Sequence, residues 1–347
     1  MTRTIRRLIF YGFVLLFIVA TPPTILYAMG YSFDWTNKKL VQTGGLYLKS
    51  VPSGAQISVN GQPQKTTPRL ISRLLPHSYN ISVVKDGYHS WQKNLPVEAE
   101  LVSEARNIFL LPTNVSPELI TQNVTSTIAD FLSSPGKKTQ QQRTAKIASS
   151  TAGWLLNGDN LYYLPKNNPV LYRTDLTESI KDQISQEALP LGKYQLITND
   201  GRRFLALSTS GDLYLMNTDG VFEKIASQIE AVQLTSDNKK VLWQTANEIT
   251  ILWLEEFLVQ PYRQAGDKET IVRYFNQKIS QALFYPDNEH VAFVAGDQIK
   301  ITELDGRDTR NTIDFISASN PQIYFDEPTS YFYYLTQNEL FRVKLEL

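Results

Sequence analysis

Five aspartates recur along the C-terminal part of the chain: Asp159, Asp200, Asp237, Asp287 and Asp326, spaced 41, 37, 50 and 39 residues apart. Carboxylates repeated in this way could ring a cation, or two of them could share the acid and base work of glycoside hydrolysis. Their surroundings point to a plainer role. Each lies where an apolar, alternating run gives way to polar residues, as in Asn199-Asp200-Gly201 and Asp287-Asn288. Asp and Asn suit such turns because their side chains bond the local backbone. The five are expected to be turn residues.

Other chemistry is sparse. His77, His89 and His290 are far apart and lack the spacing of metal ligands. The absence of cysteine excludes disulfides and thiolate metal sites. No nucleophile elbow, dinucleotide loop, phosphate loop or zincin motif occurs. No catalytic residue, metal site or small-molecule cofactor is expected. Tyr331-Phe332-Tyr333-Tyr334 could form an aromatic platform, although alternation along a strand sends neighbours to opposite faces. Tyr331 and Tyr333, together with Trp91, are the candidate binding surface.

Composition narrows the class. Lys plus Arg and Asp plus Glu stand at 34 each, so the chain is formally neutral. Without Arg3, Arg6 and Arg7, 31 basic residues face 34 acidic ones. No nucleic-acid footprint is present. Eighteen Tyr and sixteen Phe favour β structure.

Residues Leu8–Met29 carry no charge, and a helix of that length, about 33 Å, spans a hydrocarbon core of about 30 Å. The rival is a cleaved signal peptide with Leu8–Ala20 as its apolar core. No Ala-x-Ala follows, and the run continues for nine more residues. An uncleaved anchor is the expectation. The arginines before it favour a cytoplasmic N-terminus and place the rest outside.

Beyond a polar stretch, residues 44–112 read as short strands. Pro52-Ser53-Gly54 turns the chain, Ile57 and Val59 alternate, and Asn60-Gly61 is a hairpin signal. This run resembles the PEGA domain in Pro52-Ser53-Gly54-Ala55, Ile57-x-Val59-Asn60-Gly61, Thr67-Pro68 and Lys85-x-Gly87-Tyr88-x-x-Trp91. Ser53 replaces the glutamate of that motif, and His77-Ser78 stands where Pro-Gly is usual. The resemblance implies a small extracytoplasmic β-sandwich that mediates binding, with no catalytic residues.

Residues 113–347 repeat a strand–turn–strand pattern in five segments: 154–176, 194–220, 231–256, 281–306 and 321–347. A period near 40 is the mark of a β-propeller. Tyr285-Pro286-Asp287-Asn288 followed by Val291-Ala292-Phe293 resembles the TolB-like and WD40-like repeats. Ser134–Lys138 is a candidate worn sixth copy, the final strand from Leu340 a partner for an early one, and Glu303–Asp308 a blade-to-blade turn.

The expected fold is therefore an all-β ectodomain, a PEGA-like sandwich plus a propeller of roughly five or six blades, behind one transmembrane helix. Its segments are a tail (1–7), a span (8–29), a linker (30–43), the sandwich (44–112) and the propeller (113–347). The expected function is non-enzymatic binding or scaffolding at a bacterial cell envelope, with polysaccharide or an exported protein as partner. The alternatives are a propeller glycan hydrolase and a sensor acting through a membrane partner.

Overall fold

A computed structural model describes residues 3–128, 150–175, 181–326 and 330–345. Ser134–Lys138 lies outside the described residues. The body is all-β behind one apolar helix, α1 (Arg3–Ala28), none of whose residues is buried. The helix runs on through Pro22 and Pro23. Thr21 and Thr24 hydroxyls donate to the Phe17 and Ala20 carbonyls at 2.6 and 2.7 Å, binding carbonyl groups beside the turn where proline cannot donate. Gly30 ends the helical run with φ +84°, a conformation that costs glycine little.

The stretch expected to be a linker is instead a hairpin, β1 (Tyr31–Asp34) and β2 (Lys39–Gln42). Its turn is local chemistry: Asp34 Oδ1 accepts the Thr36 and Asn37 amides at 2.9 and 3.2 Å. Polarity in the sequence hid an Asx turn.

The chain divides into two compact units. The first holds α1, the hairpin and two sheets. One sheet has β3 (Gly44–Val51) between β6 (Arg69–Leu74) and β9 (Val102–Phe109). The other runs β5-β4-β7-β8, with β4 at Gln56–Val59, β5 at Gln62–Thr66, β7 at Ser78–Val84 and β8 at Trp91–Pro96. Alternation along these strands drives the packing. Leu46 and Leu48 from β3 meet Ile57, Ile81, Val83 and Leu95, all fully buried. Asn60-Gly61 makes the β4–β5 turn, both residues with positive φ, as a two-residue hairpin of that type requires. Beside the Pro52–Gly54 turn, the Ser50 and Thr67 hydroxyls lie 2.6 Å apart, and Thr67 Oγ1 also accepts the Ala55 amide at 3.1 Å.

The second unit begins at Asn114 and opens with β10 (Glu118–Thr121). Three four-stranded antiparallel sheets follow in chain order. The first is β11 (Thr151–Asn157), β12 (Asn160–Pro165), β13 (Tyr172–Asp175) and β14 (Lys181–Gln183). The next is β15 (Tyr194–Ile197), β16 (Leu205–Ser208), β17 (Leu213–Met216) and β18 (Phe222–Ala226). The third is β19 (Ala231–Leu234), β20 (Lys240–Gln244), β21 (Glu248–Trp253) and β22 (Lys268–Arg273). A fourth runs β23 (Ile279–Phe284), β24 (His290–Ala295), β25 (Gln298–Glu303) and β26 (Thr312–Ser317). The fifth joins β27 (Gln322–Asp326), β28 (Tyr331–Thr336) and β29 (Glu339–Lys344) to β10 as its outermost strand.

First strands touch first strands of the next sheet, β11 to β15, β19 to β23 and β23 to β27. Sheets arranged radially with their first strands innermost make a propeller, with five blades among the described residues. The first and last strands of the second unit share the fifth blade, so pairing β10 with β29 ties that unit's ends together. Glu303–Asp308 corrects one expectation. It links β25 to β26 inside a single blade rather than joining two blades, because β26 continues the same ladder.

Candidate functional site

Three of the repeated aspartates, Asp200, Asp237 and Asp287, serve the turns between first and second strands. Asp200 Oδ1 accepts the Arg202 and Arg203 amides at 2.9 and 3.2 Å, and Asp237 Oδ1 that of Lys239 at 3.1 Å. Asp287 Oδ1 accepts Glu289 and His290 amides at 2.8 and 3.0 Å. Their carboxylates are spent on their own turns. No cluster of metal-ligating side chains occurs among the described residues.

Amides beside those turns link one blade to the next. Asn157 Nδ2 donates to the Asn199 carbonyl at 3.0 Å, and Asn199 Nδ2 to the Thr235 carbonyl at 2.8 Å. Asn288 Nδ2 reaches Ser236 Oγ at 3.2 Å. Along the inner strands, Gln233 Oε1 accepts the Phe284 amide at 2.7 Å. Gln281 binds Ile323 twice, accepting its amide at 2.8 Å and donating to its carbonyl at 2.7 Å. A primary amide matches a backbone amide group for group, so each glutamine replaces strand pairing where neighbouring blades splay apart.

Between the inner strands β15 and β19 lies an open cleft of about 470 Å³. Gln195, Asn199, Gln233 and Ser236 supply its polar groups, and Ile197, Val232 and Leu234 its apolar floor. Gln195 is exposed. Neutral donors and acceptors over an aliphatic surface suit a neutral, hydroxyl- or amide-rich ligand. Sequence reading missed these residues because it followed the aspartates; the signal was the glutamine or asparagine a few positions before each turn.

The aromatic candidates lie elsewhere and are not brought together. Trp91 is only 3% exposed, inside the sandwich core. Tyr333 is 7% exposed, and Tyr331 is half-buried beside it, under the Arg342 guanidinium at 4.5 Å. Phe332 and Tyr334 point the other way and are buried too. Alternation holds, but both faces of this strand pack against protein, so the candidate aromatic platform is not exposed here.

Next to the β23–β24 turn sits a buried set of charges. Lys240 Nζ bonds Glu289 Oε1 at 2.6 Å and the Asn288 carbonyl at 2.9 Å; His290 Nδ1 lies 2.6 Å from Asp287 Oδ2. Burial pulls the His290 pKa down, but the charges of Asp287, Glu303 and Glu289 outweigh it and hold the imidazolium above its ordinary value. Burial pushes Glu289 up against the pull of Lys240. Burial also opposes the Asp287 carboxylate, yet His290 and the turn amides keep it below the ordinary range.

The signs agree on a pH profile. With raised native values, Glu289 and His290 hold protons that the unfolded chain gives up. Stability falls as pH rises from the ordinary Glu value and then through the native His290 value. Asp287 acts oppositely, withdrawing stability as pH falls below the ordinary Asp value. Urea midpoints should therefore decline from neutral to alkaline pH, and His290→Gln should flatten that limb. An equally steep limb in the variant would refute the assignment.

The strand order of the first unit, its Asn60-Gly61 hairpin and its buried Trp91 belong to a stretch that a family model matches. Residues 43–106 match the PEGA domain model. The PEGA domain thus accounts for the first unit's two sheets and not for the propeller. No curated protein matches the chain. Similar solved structures include the β-propeller domain of Cps50 (Swd1) from Myceliophteria thermophila, 15% identical with TM-score 0.39 over 55% of this chain and 67% of that one. The C-terminal WD40 domain of Sif2 is 11% identical, TM-score 0.35, over 56% and 69% of the two chains. Virginiamycin B lyase from Staphylococcus aureus is 9% identical, TM-score 0.35, over 57% and 71%. The propeller reading stands on the sheet topology itself.

Proposed function

We propose that this chain is a single-pass, membrane-anchored protein whose PEGA domain and propeller lie outside the cytoplasm, where it binds or scaffolds without catalysis. Its partner would be an envelope polysaccharide or an exported protein. The reading is carried by the cleft between β15 and β19. Its lining residues offer amides, a hydroxyl and aliphatic surface, a set that can hold a neutral polar ligand but lacks a group to move a proton. The uncharged stretch of α1 from Leu8 onward, preceded in the same helix by Arg3, Arg6 and Arg7, supports the topology.

Full-length protein in detergent, presented with soluble envelope glycans and purified exported proteins, tests both halves of the claim. One class should bind, and Gln195→Trp, which fills the cleft from an exposed position, should weaken it at least about tenfold, equal to about 1.4 kcal/mol. Binding unaffected by that block would remove the cleft from the account. Protease that leaves the body intact on whole cells would overturn the topology.

A further inference from the structure

The hairpin that follows α1 presents an apolar face that stays largely exposed. Phe33 and Leu40 are direct cross-strand partners, so their side chains share one face of the ribbon. They are 41% and 46% exposed. Trp35 in the turn is 82% exposed and packs edge-on against Phe33 with ring centroids 4.7 Å apart. The pairs Ser32–Val41 and Asp34–Lys39 take the opposite face. Trp91, Trp243 and Trp253 are buried to 4% exposure or less, and Trp154 is half-buried. Only Trp35 is spent on the surface.

Its position explains the expenditure. α1 has 26 residues, about 39 Å of helix, against a hydrocarbon core of about 30 Å. Arg3, Arg6 and Arg7 occupy its first turns outside the core, and the uncharged stretch from Leu8 to Ala28, about 32 Å, just crosses it, so Ala28 reaches the far boundary. Two residues separate Ala28 from Tyr31, a reach of about 10 Å at most, and the interfacial layer is about 5–8 Å deep on each side. The hairpin is also tied to the helix end. Thr43 donates its amide and hydroxyl to the Gly30 carbonyl at 2.9 and 2.7 Å. Arg73 from β6 donates to the Tyr27 carbonyl at 3.1 Å and lies 3.5 Å over its ring. A cation at that carbonyl also meets the negative end of the helix dipole. Helix end, hairpin and sandwich sheet thus hold one another at a set height.

We propose that the β1–β2 hairpin is an interfacial anchor, with Trp35, Phe33 and Leu40 seated at the headgroup–acyl boundary of the membrane that α1 crosses. Tryptophan is suited to that layer because its ring is apolar and its N–H can bond a headgroup. Lys38 in the turn gives the hairpin a cationic tip for lipid phosphates. The anchor limits rocking of the PEGA domain, which a single helix alone would leave free to swivel. This inference rests on the reading of α1 as a membrane span.

The lack of cysteine makes the test direct. Single cysteines at Leu40, at Gln64 in β5 and at Leu15 in α1 are nitroxide-labelled in the full chain, reconstituted into phosphatidylcholine vesicles. Collisions with oxygen and with a water-soluble nickel chelate are compared. The label at position 40 should favour oxygen several-fold more than that at 64, approaching the one at 15. Water-like accessibility at 40, with a hydrocarbon-like value at 15, overturns the anchor and leaves the span intact. A water-like value at 15 removes the span, and the anchor with it. Spin–spin broadening at 40 assigns the face to a second copy and also overturns the proposal.

Discussion

Lys240→Met should lower the stability of the propeller by about 3–5 kcal/mol, among the largest costs available from a single side chain. The Lys240 side chain is 2% exposed, its ammonium 2.6 Å from Glu289 and 4.8 Å from the centre of the Phe257 ring. Methionine fills a similar volume but leaves Glu289 buried without its cation. That carboxyl already sits above its ordinary pKa through burial, so the variant neutralises it by proton uptake. The expected fall in Tm is about 6–20 °C, taking about 2–4 °C per kcal/mol for a unit of this size. Adding Glu289→Leu should restore most of the loss, since a buried ion pair replaced as a whole by apolar side chains is often neutral or stabilising. Arg342→Met is the control. Its pair with Glu118 is bidentate at 2.7 and 3.0 Å, but the two side chains are 31% and 60% exposed, so the cost should stay below about 1 kcal/mol. Equal losses for Lys240→Met and Arg342→Met would show that burial does not set the strength of these pairs.

Why such a cation was not legible follows from how a propeller packs. In the PEGA domain, β7 alternates buried and open positions, and the sequence shows it in Tyr79, Ile81 and Val83 against Asn80 and Ser82. Each blade, by contrast, is covered on both faces. All five residues of β20, Lys240 through Gln244, are buried, and so are all six of β24, His290 through Ala295. Alternation then says which way a side chain points but no longer says whether it meets water. The same loss of signal made Tyr331–Tyr334 look like a platform. The repeats survived this ambiguity because turn chemistry is local: Asp200, Asp237 and Asp287 bind amides two or three residues away. The cleft did not, because its amides come from two repeats 38 residues apart at Gln195 and Gln233, brought together only by ring geometry. The hairpin at Tyr31–Gln42 was hidden for a third reason: a four-residue strand is too short to show a period.

Leu340→Pro should open the ring. Leu340 is fully buried among Val124, Ile128, Tyr333 and Leu335, and sits in β29 between two partners, opposite Leu335 of β28 and Thr121 of β10. Proline there removes a donor from an interior strand and costs more than about 3 kcal/mol, to which the lost burial of leucine adds. The cost should fall unevenly. Backbone contacts at the seam, such as the Val124 amide on the Asn338 carbonyl at 2.9 Å, depend on β29 keeping its course. Hydrogen exchange at 118–124 should therefore rise to the rate of an open strand while β20 and β24 remain protected. A converse variant separates closure from simple damage. Leu119 and Phe341 are direct partners across the seam, close enough for a disulfide, and the chain has no other cysteine to compete. Leu119→Cys with Phe341→Cys should raise the unfolding midpoint when oxidised and lose that gain when reduced. The bridge closes a loop of more than 200 residues, which in the chain-entropy account is worth about 5.4 kcal/mol before strain. If Leu340→Pro destabilised all five blades without freeing 118–124, the early strand would be decoration on the fifth blade rather than the fastening of the ring.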